Sequence, residues 1–133
     1  MRYTFSALTL MGVILTLAGA GSAMAAAEVG QPAPALVVEE LNGQTFDLAA
    51  QRGKVVVINF WATWCQPCRR EMPTLDAFYR QYHRQGLEMI GLSADRLHER
   101  SGVGKVMQSF SYPAAMLGMT SKLTISAIPA SCR

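Results

Sequence analysis

The strongest constraint on the fold is a run of apolar, mostly β-branched side chains at residues 55–60, in which Asn59 is the one polar residue. Such runs are typical of strands covered on both faces, which occur in parallel or mixed sheets flanked by helices. The apolar residues that follow recur at helical spacing: Met72, Leu75, Tyr79 and Tyr82. Pro73 is expected to kink this helix, and Gly86 to end it. The pattern predicts an α/β protein in which the strand at residues 55–60 is buried on both faces.

Shorter elements surround this strand–helix unit. Residues 36–39 and 44–48 are strand candidates, and Asn42-Gly43 between them is a strong hairpin signal. Residues 87–92 form the next predicted strand, and residues 123–128 an extended segment. A second helix is predicted by apolar residues at i, i+3, i+4 and i+7: Val103, Val106, Met107 and Phe110. The expected order is therefore β-β-β-α-β-α.

The 133 residues are enough for one domain preceded by an export signal. Arg2 provides a positive charge, residues 7–20 are uncharged and largely apolar, and Ala23-Met24-Ala25 fits a cleavage site. We expect residues 1–25 to be a signal peptide, with cleavage as late as residue 27, and residues 28–133 to be the domain. An uncleaved N-terminal membrane anchor is the alternative, and both versions place the domain outside the cytoplasm.

The charge distribution argues against a nucleic-acid partner. The 12 Lys and Arg residues exceed the 9 Asp and Glu residues, which gives a net charge of +3. The positive residues are scattered, and only Arg69 and Arg70 are adjacent, so they form no basic stripe. Three cysteines are also too few for a small domain held together by disulfides.

The candidate chemistry lies in Cys65-Gln66-Pro67-Cys68, between the predicted buried strand and the long helix. A helix N-terminus stabilises a thiolate, so the pKa of the Cys65 thiol is expected to fall and its reactivity to rise. Two intervening residues allow Cys68 to reach Cys65 within one turn. Pro67 fits the first turn, where its missing N–H costs nothing. The pattern favours a redox-active cysteine pair.

Other interpretations of this cysteine pair remain. A zinc site would need a second ligand pair, and only Cys132, His83 and His98 are left. Haem attachment requires a histidine directly after the second cysteine, where Arg69 stands. A purely structural disulfide is compatible with an exported protein. The thioethers of Met116 and Met119 are suitable ligands for copper, but methionine more often fills gaps in a core. No metal or other cofactor is expected.

The chain resembles the exported thiol-disulfide oxidoreductases of the TlpA/ResA/CcmG type, which have a thioredoxin-like fold. The resemblance rests on V-G-Q-P-A-P at residues 29–34, L-N-G-Q at 41–44, and G-K-V-V-V-I-N-F-W-A-T-W-C-Q-P-C-R-R-E-M-P at 53–73. It implies a three-layer α/β fold around a central mixed sheet, extended by an N-terminal β-hairpin. The family's final two strands and helix have no counterpart here, so we expect a domain that is incomplete at its C-terminus, with Cys132 as an accidental third thiol.

The resemblance also implies roles for individual residues. Cys65 corresponds to the attacking cysteine and Cys68 to the buried resolving cysteine of a redox-active disulfide. Glu71 resembles an acidic residue that tunes the cysteines and relays a proton, although a surface helix position is an equal alternative. Asn59 stands where ordinary thioredoxins carry a buried aspartate. The implied substrate-binding residues are Trp64, Pro67, Ile128 and Pro129, with Ile128-Pro129 as a cis-proline step.

The function implied by the resemblance is reduction of protein disulfides in the periplasm, with a role in cytochrome c maturation as one option. The partners would be thiols and disulfides of exported proteins, with a membrane thiol reductase as electron donor. Membrane association is expected only if the N-terminal segment stays uncleaved. Two alternatives remain: a thiol peroxidase of the redoxin group, and an inactive truncated fragment. The P-x-x-x-T-x-x-C pattern of a peroxidatic cysteine does not occur in the sequence.

Overall fold

The computed structural model of the protein describes residues 29–123. The predicted signal peptide, Ile128, Pro129 and Cys132 lie outside these residues. The elements are five strands and two helices: β1 (Leu36–Glu40), β2 (Thr45–Asp47), β3 (Val55–Trp61), α1 (Gln66–Tyr82), β4 (Leu87–Ser93), α2 (Arg100–Met107) and β5 (Ala114–Leu123). Short 3-10 turns occupy Leu48–Gln51, His83–Gln85 and Leu97–Glu99.

The five strands form one mixed sheet in the order β2-β1-β5-β4-β3. β1 pairs antiparallel with β2 and with β5, whereas β4 runs parallel to both β3 and β5. Gly43 has a φ of +86° in the turn between β1 and β2, a conformation that glycine adopts without the steric cost of a Cβ. The parallel strands β3 and β4 end side by side, with Trp61 opposite Ser93.

Side chains on the two faces of the sheet form two apolar clusters, because alternate residues of a strand point to opposite faces. The first cluster contains residues of both described helices: Trp61, Met72, Tyr79, Met89, Val103, Met107, Tyr112, Ala114 and Met116. The second lies across β1, β4 and β5: Leu36, Val38, Phe46, Ile90, Leu92 and Ala115. The helices α1 and α2 therefore pack against the same face of the sheet.

The hairpin, the strand at residues 55–60, the long helix and the strand at residues 87–92 are confirmed, and the strand ends differ from the predicted ones by at most one residue. α1 runs continuously through Pro73, with Met72 and Tyr79 on its buried side. Gly86 follows this helix and its 3-10 extension with a φ of +92°, as expected for a glycine stop signal.

Within the part of the chain that the structure describes, the strand at residues 55–60 contacts both apolar clusters but is less buried than its composition predicts. Val55 is 66% exposed, and the next five residues of β3 are only half-buried. The physical reason is position: within residues 29–123, β3 is the last strand of the sheet and pairs only with β4. Its β-branched composition predicts strand formation correctly, but it does not indicate where the strand lies in the sheet.

Two further differences concern the end of the described chain. The strand after α2 begins at Ala114, nine residues before the predicted extended segment, and residues 124–128 lie outside the described residues. α2 ends at Met107, so Phe110 follows the helix and does not form its last turn. Within residues 29–123, α1 and α2 are both too short or too polar to cross a membrane.

Candidate active site

The candidate site lies where β3 ends and α1 begins, at the carboxyl end of the parallel strands. Cys65 is the N-cap residue of α1, and Pro67 stands in the first helical turn. The turn into the helix is held by backbone hydrogen bonds: the Cys65 N–H donates to the Ala62 oxygen at 3.1 Å, and the Arg69 N–H donates to the Cys65 oxygen at 3.0 Å. This arrangement places the Cys65 sulfur at the positive end of the helix, as the sequence predicts.

Cys65 and Cys68 form a disulfide, with their Cα atoms 5.3 Å apart. The expectation that Cys68 is the buried member of the pair is wrong for this oxidised state. Cys65 is only 4% exposed, whereas Cys68 is half-buried. The cause is the N-cap geometry, which turns the Cys65 side chain inward against Ala62 and Ala94. Cys68, one turn later, lies on the flank of the helix.

The residues around the disulfide differ sharply in exposure. Trp64 is 55% exposed and Pro67 is also exposed, so both are accessible beside the disulfide. Trp61, by contrast, is fully buried in the first apolar cluster. The two tryptophans flanking the cysteine motif therefore belong to a surface and to a core, respectively.

Glu71 lies one turn after Cys68 and is exposed. It lines a shallow groove along α1 together with Pro67, Arg70, Thr74 and Leu75. The groove begins next to the disulfide, and its lining combines apolar carbons with one charge of each sign. The structure therefore places Glu71 on the same helix surface as Pro67. Ile128 and Pro129 lie outside the described residues, so their predicted contribution to this surface stays a prediction.

Asp95 is a site residue that the sequence analysis did not identify. Its side chain is buried and accepts hydrogen bonds from the Thr63 N–H at 2.9 Å and the Thr63 hydroxyl at 2.6 Å. The Ser93 hydroxyl donates to the same carboxylate at 2.6 Å. Thr63 is 32 residues away in the chain, so no local pattern reveals the contact. The available signal is the polar segment Ser93-Ala94-Asp95 directly after the strand predicted at residues 87–92.

Three buried polar atoms near the site have no hydrogen-bond partner in good geometry among the described residues: Asn59 Nδ2, Trp61 Nε1 and Tyr112 Oη. Burial raises the pKa of Tyr112 to about 12; the neighbouring Asn59 amide opposes this shift, and the Asp76 charge adds to it. Asn59 thus lies beside a neutral phenol. Within residues 29–123, no group of three His, Cys, Asp or Glu side chains is arranged to hold a metal ion.

Comparison with curated proteins identifies similar oxidoreductases. The thiol-disulfide oxidoreductase ResA of Bacillus thuringiensis subsp. konkukian is 46% identical over 68 residues, which are 51% of this chain and 39% of that protein. ResA of Geobacillus kaustophilus is 41% identical over 85 residues, covering 59% of this chain and 49% of that protein. The chain thus matches less than half the length of these two relatives.

Comparison with solved structures identifies proteins of similar fold that are also named as thiol-disulfide exchange proteins. The thioredoxin domain of a thiol-disulfide oxidoreductase from Bacteroides vulgatus superposes with a TM-score of 0.61 at 29% identity, covering 69% of this chain and 66% of that one. A thioredoxin-family thiol:disulfide interchange protein from Chlorobium tepidum gives a TM-score of 0.57 at 29% identity, with coverage of 65% and 59%. The fold is therefore thioredoxin-like. The model of the AhpC/TSA family matches residues 29–117, and the chain belongs to that family.

Proposed function

We propose that the protein is a thiol-disulfide oxidoreductase that reduces disulfides of exported proteins through Cys65 and Cys68. The observation that carries the proposal is the disulfide between these two residues across the first turn of α1, with Cys65 as the N-cap. The similarity to proteins named thiol-disulfide oxidoreductases supports it. The site would be reached over the exposed surface that Trp64 and Pro67 form beside the disulfide.

The proposed reaction transfers two electrons from the cysteine pair to the substrate. The Cys65 thiolate attacks one sulfur of a substrate disulfide, which forms a mixed disulfide and releases the other substrate sulfur as a thiolate that takes up a proton. Cys68 then loses its proton and attacks the Cys65 sulfur. The bond to the substrate breaks, the second substrate sulfur leaves as a thiol, and the Cys65–Cys68 disulfide remains. A dithiol reductant must reduce this disulfide before the next cycle, and we propose a membrane thiol reductase for that step.

The proposed location is the periplasm. The apolar N-terminal segment with its small-residue cleavage site supports export of the domain, either free or held by an uncleaved anchor. Disulfide exchange is the chemistry expected in an oxidising compartment. Apocytochromes c, whose haem-binding cysteines must be reduced before attachment, are one substrate class compatible with this proposal.

The test is reduction of insulin disulfides by the full chain with dithiothreitol as reductant. We expect the wild-type protein to accelerate insulin precipitation and Cys65→Ser to abolish the acceleration. Cys68→Ser should accumulate a mixed disulfide with insulin, detectable by intact mass. Cys132→Ser is the matched control, because it removes a thiol outside the C-x-x-C motif and should leave the rate unchanged.

Three outcomes would contradict the proposal. Insulin reduction that survives Cys65→Ser would exclude Cys65 as the attacking group. Rapid turnover of hydrogen peroxide, lost in Cys65→Ser and accompanied by no insulin reduction, would favour the thiol peroxidase. Absence of both activities together with non-cooperative thermal unfolding would identify an inactive fragment.

A further inference from the structure

Asp95 is buried to 4% exposure, and hydrogen bonds account for both of its carboxylate oxygens. Oδ1 accepts from the Thr63 hydroxyl at 2.6 Å. Oδ2 accepts from the Thr63 N–H at 2.9 Å and from the Ser93 hydroxyl at 2.6 Å. Ser93 Oγ in turn accepts from the Asp95 N–H at 3.1 Å, which fixes the carboxylate relative to its own backbone. A buried carboxylate with this many donors has one orientation, because any other would leave polar groups without partners.

The segment that Asp95 holds is the short connection between β3 and α1. Thr63 stands two residues before Cys65, and the Cys65 N–H bonds to Ala62 on the other side of Thr63. The residue before Asp95 contacts the same connection: the Ala94 N–H donates to the Trp61 oxygen at 2.8 Å, and Ala94 packs against the cluster of Ala62 and Cys65. The turn after β4 therefore forms hydrogen bonds with Trp61 and Thr63, the residues on either side of Ala62, shortly before the N-cap.

We propose that Asp95 is a positioning residue for Cys65, and that its two hydrogen bonds to Thr63 fix the nucleophilic sulfur at the N-terminus of α1. The inference rests on the proposed function for the nucleophilic role of Cys65. The stabilisation that a helix N-terminus gives a thiolate falls off within the first turn. If the connection between β3 and α1 shifted, the Cys65 sulfur would move away from the helix N-terminus and lose this stabilisation.

A carboxylate near a thiol also acts through its charge, so the test compares variants of equal charge. Asp95→Asn and Asp95→Ala both remove the negative charge, but only the asparagine keeps an oxygen to accept from the Thr63 N–H and an amide to bond the Thr63 hydroxyl. A difference between the two variants reports the hydrogen bonds alone. The measurement is the rate of iodoacetamide alkylation of Cys65 in the reduced full chain, followed by peptide mass spectrometry from pH 5 to pH 10.

We expect Asp95→Ala to alkylate about tenfold more slowly than Asp95→Asn below pH 7, which corresponds to a rise of about one unit in the pKa of the Cys65 thiol. The two variants should converge to the same rate at high pH, because the sulfur is then ionised in both. A purely structural contribution would lower the melting temperature and leave the pH profiles superimposed. Superimposed profiles would overturn the proposal.

A second pair keeps the proposal testable if Asp95→Ala does not fold. Thr63→Ser retains the hydroxyl that donates to Oδ1, whereas Thr63→Val removes it at nearly constant volume; both leave Asp95 unchanged. We expect Thr63→Val to alkylate about threefold more slowly than Thr63→Ser below pH 7. Equal rates in this pair would also overturn the proposal. Alkylation does not depend on a protein substrate, so failure here is distinguishable from failure of the insulin assay.

Discussion

The carboxylate of Asp76, on the buried side of α1, accepts a hydrogen bond of 2.5 Å from the backbone N–H of Ser111. Ser111 lies in the connection between α2 and β5, so one side chain of the active-site helix secures a loop 35 residues away in sequence. Asp76 also forms an ion pair with Arg80 at 3.3 Å, but the Arg80 side chain is 63% exposed. The two interactions therefore differ in the expected contribution to stability.

We predict that Asp76→Ala lowers the free energy of unfolding by about 2–3 kcal/mol, because it leaves the Ser111 N–H without its charged acceptor. Asp76→Asn should lose about half as much, since an amide oxygen can still accept. Arg80→Ala is the control and should cost under about 1 kcal/mol, as solvent-exposed ion pairs do. Urea denaturation measures all three. An Arg80→Ala cost equal to that of Asp76→Ala would contradict this ranking.

Gly91 provides a second prediction, because a Cβ at this position would lie 3.1 Å from Trp61 Nε1 and 3.2 Å from Tyr112 Cε2. Both neighbours are buried rings that have little room to move. Gly91→Ala should therefore lower the free energy of unfolding by about 1–3 kcal/mol through overpacking. In the matched control Gly104→Ala, no described atom lies within 4 Å of the new Cβ, and α2 should gain about 0.5–1 kcal/mol from the better helix former. Thermal unfolding of both variants gives the comparison.

The buried phenol of Tyr112 should make stability fall at alkaline pH. Its pKa is about 12 in the folded protein, against 10.0 for the free group, mainly because of burial. A raised pKa means that the neutral phenol favours the fold: the full contribution is present below pH 10 and is lost as the pH rises towards 12. Tyr112→Phe should remove this loss, so its free energy of unfolding should fall less between pH 9 and pH 11 than that of the wild type. If the free energies of unfolding of the wild type and Tyr112→Phe fell in parallel with pH, other groups would be the cause of the alkaline destabilisation.

The exposure of Glu71 leads to a prediction about its charge. The family resemblance implies that Glu71 tunes the cysteines, whereas an exposed carboxylate is screened by solvent. We expect Glu71→Gln to move the pH profile of Cys68 alkylation by less than about half a pH unit. Glu39→Gln, an exposed change in β1, provides the baseline. A shift of one unit or more in Glu71→Gln alone would support the tuning role.

The parts of the fold that the sequence predicted are those with strong local signals. The hairpin at Asn42-Gly43, the β-branched run of β3 and the amphipathic pattern of α1 each specify their own element. β5 was missed because it begins with alanine, methionine, leucine and glycine, none of which is a strong strand former. It becomes a strand because β1 and β4 supply hydrogen-bonding partners on either side. The formation of β5 therefore depends on pairing with neighbouring strands, which the strand propensities of its own residues do not reveal.

The sequence predicts the reactive residues of the candidate site but not the buried residue that holds them in place. The cysteine motif carries its own chemical signature, so Cys65 and Cys68 were identified from spacing alone. Asp95 belongs to no recognisable motif, because its significance lies in hydrogen bonds to Thr63, which is 32 residues away in the chain. The relative burial of the two cysteines was also wrong, since it depends on how the N-cap turns the first side chain inward.

The N-cap position of Cys65 links the oxidation state of the site to the order of its helix. In the oxidised structure the sulfur at the N-cap of α1 is neutral and bonded to Cys68. A thiolate formed on reduction is a hydrogen-bond acceptor at the place where serine, threonine or aspartate normally caps a helix. Reduction therefore removes the covalent constraint between Cys65 and Cys68 and places a charged acceptor at the N-cap. The backbone amides of the first turn of α1 would thus report the redox state of the protein through their rates of hydrogen exchange.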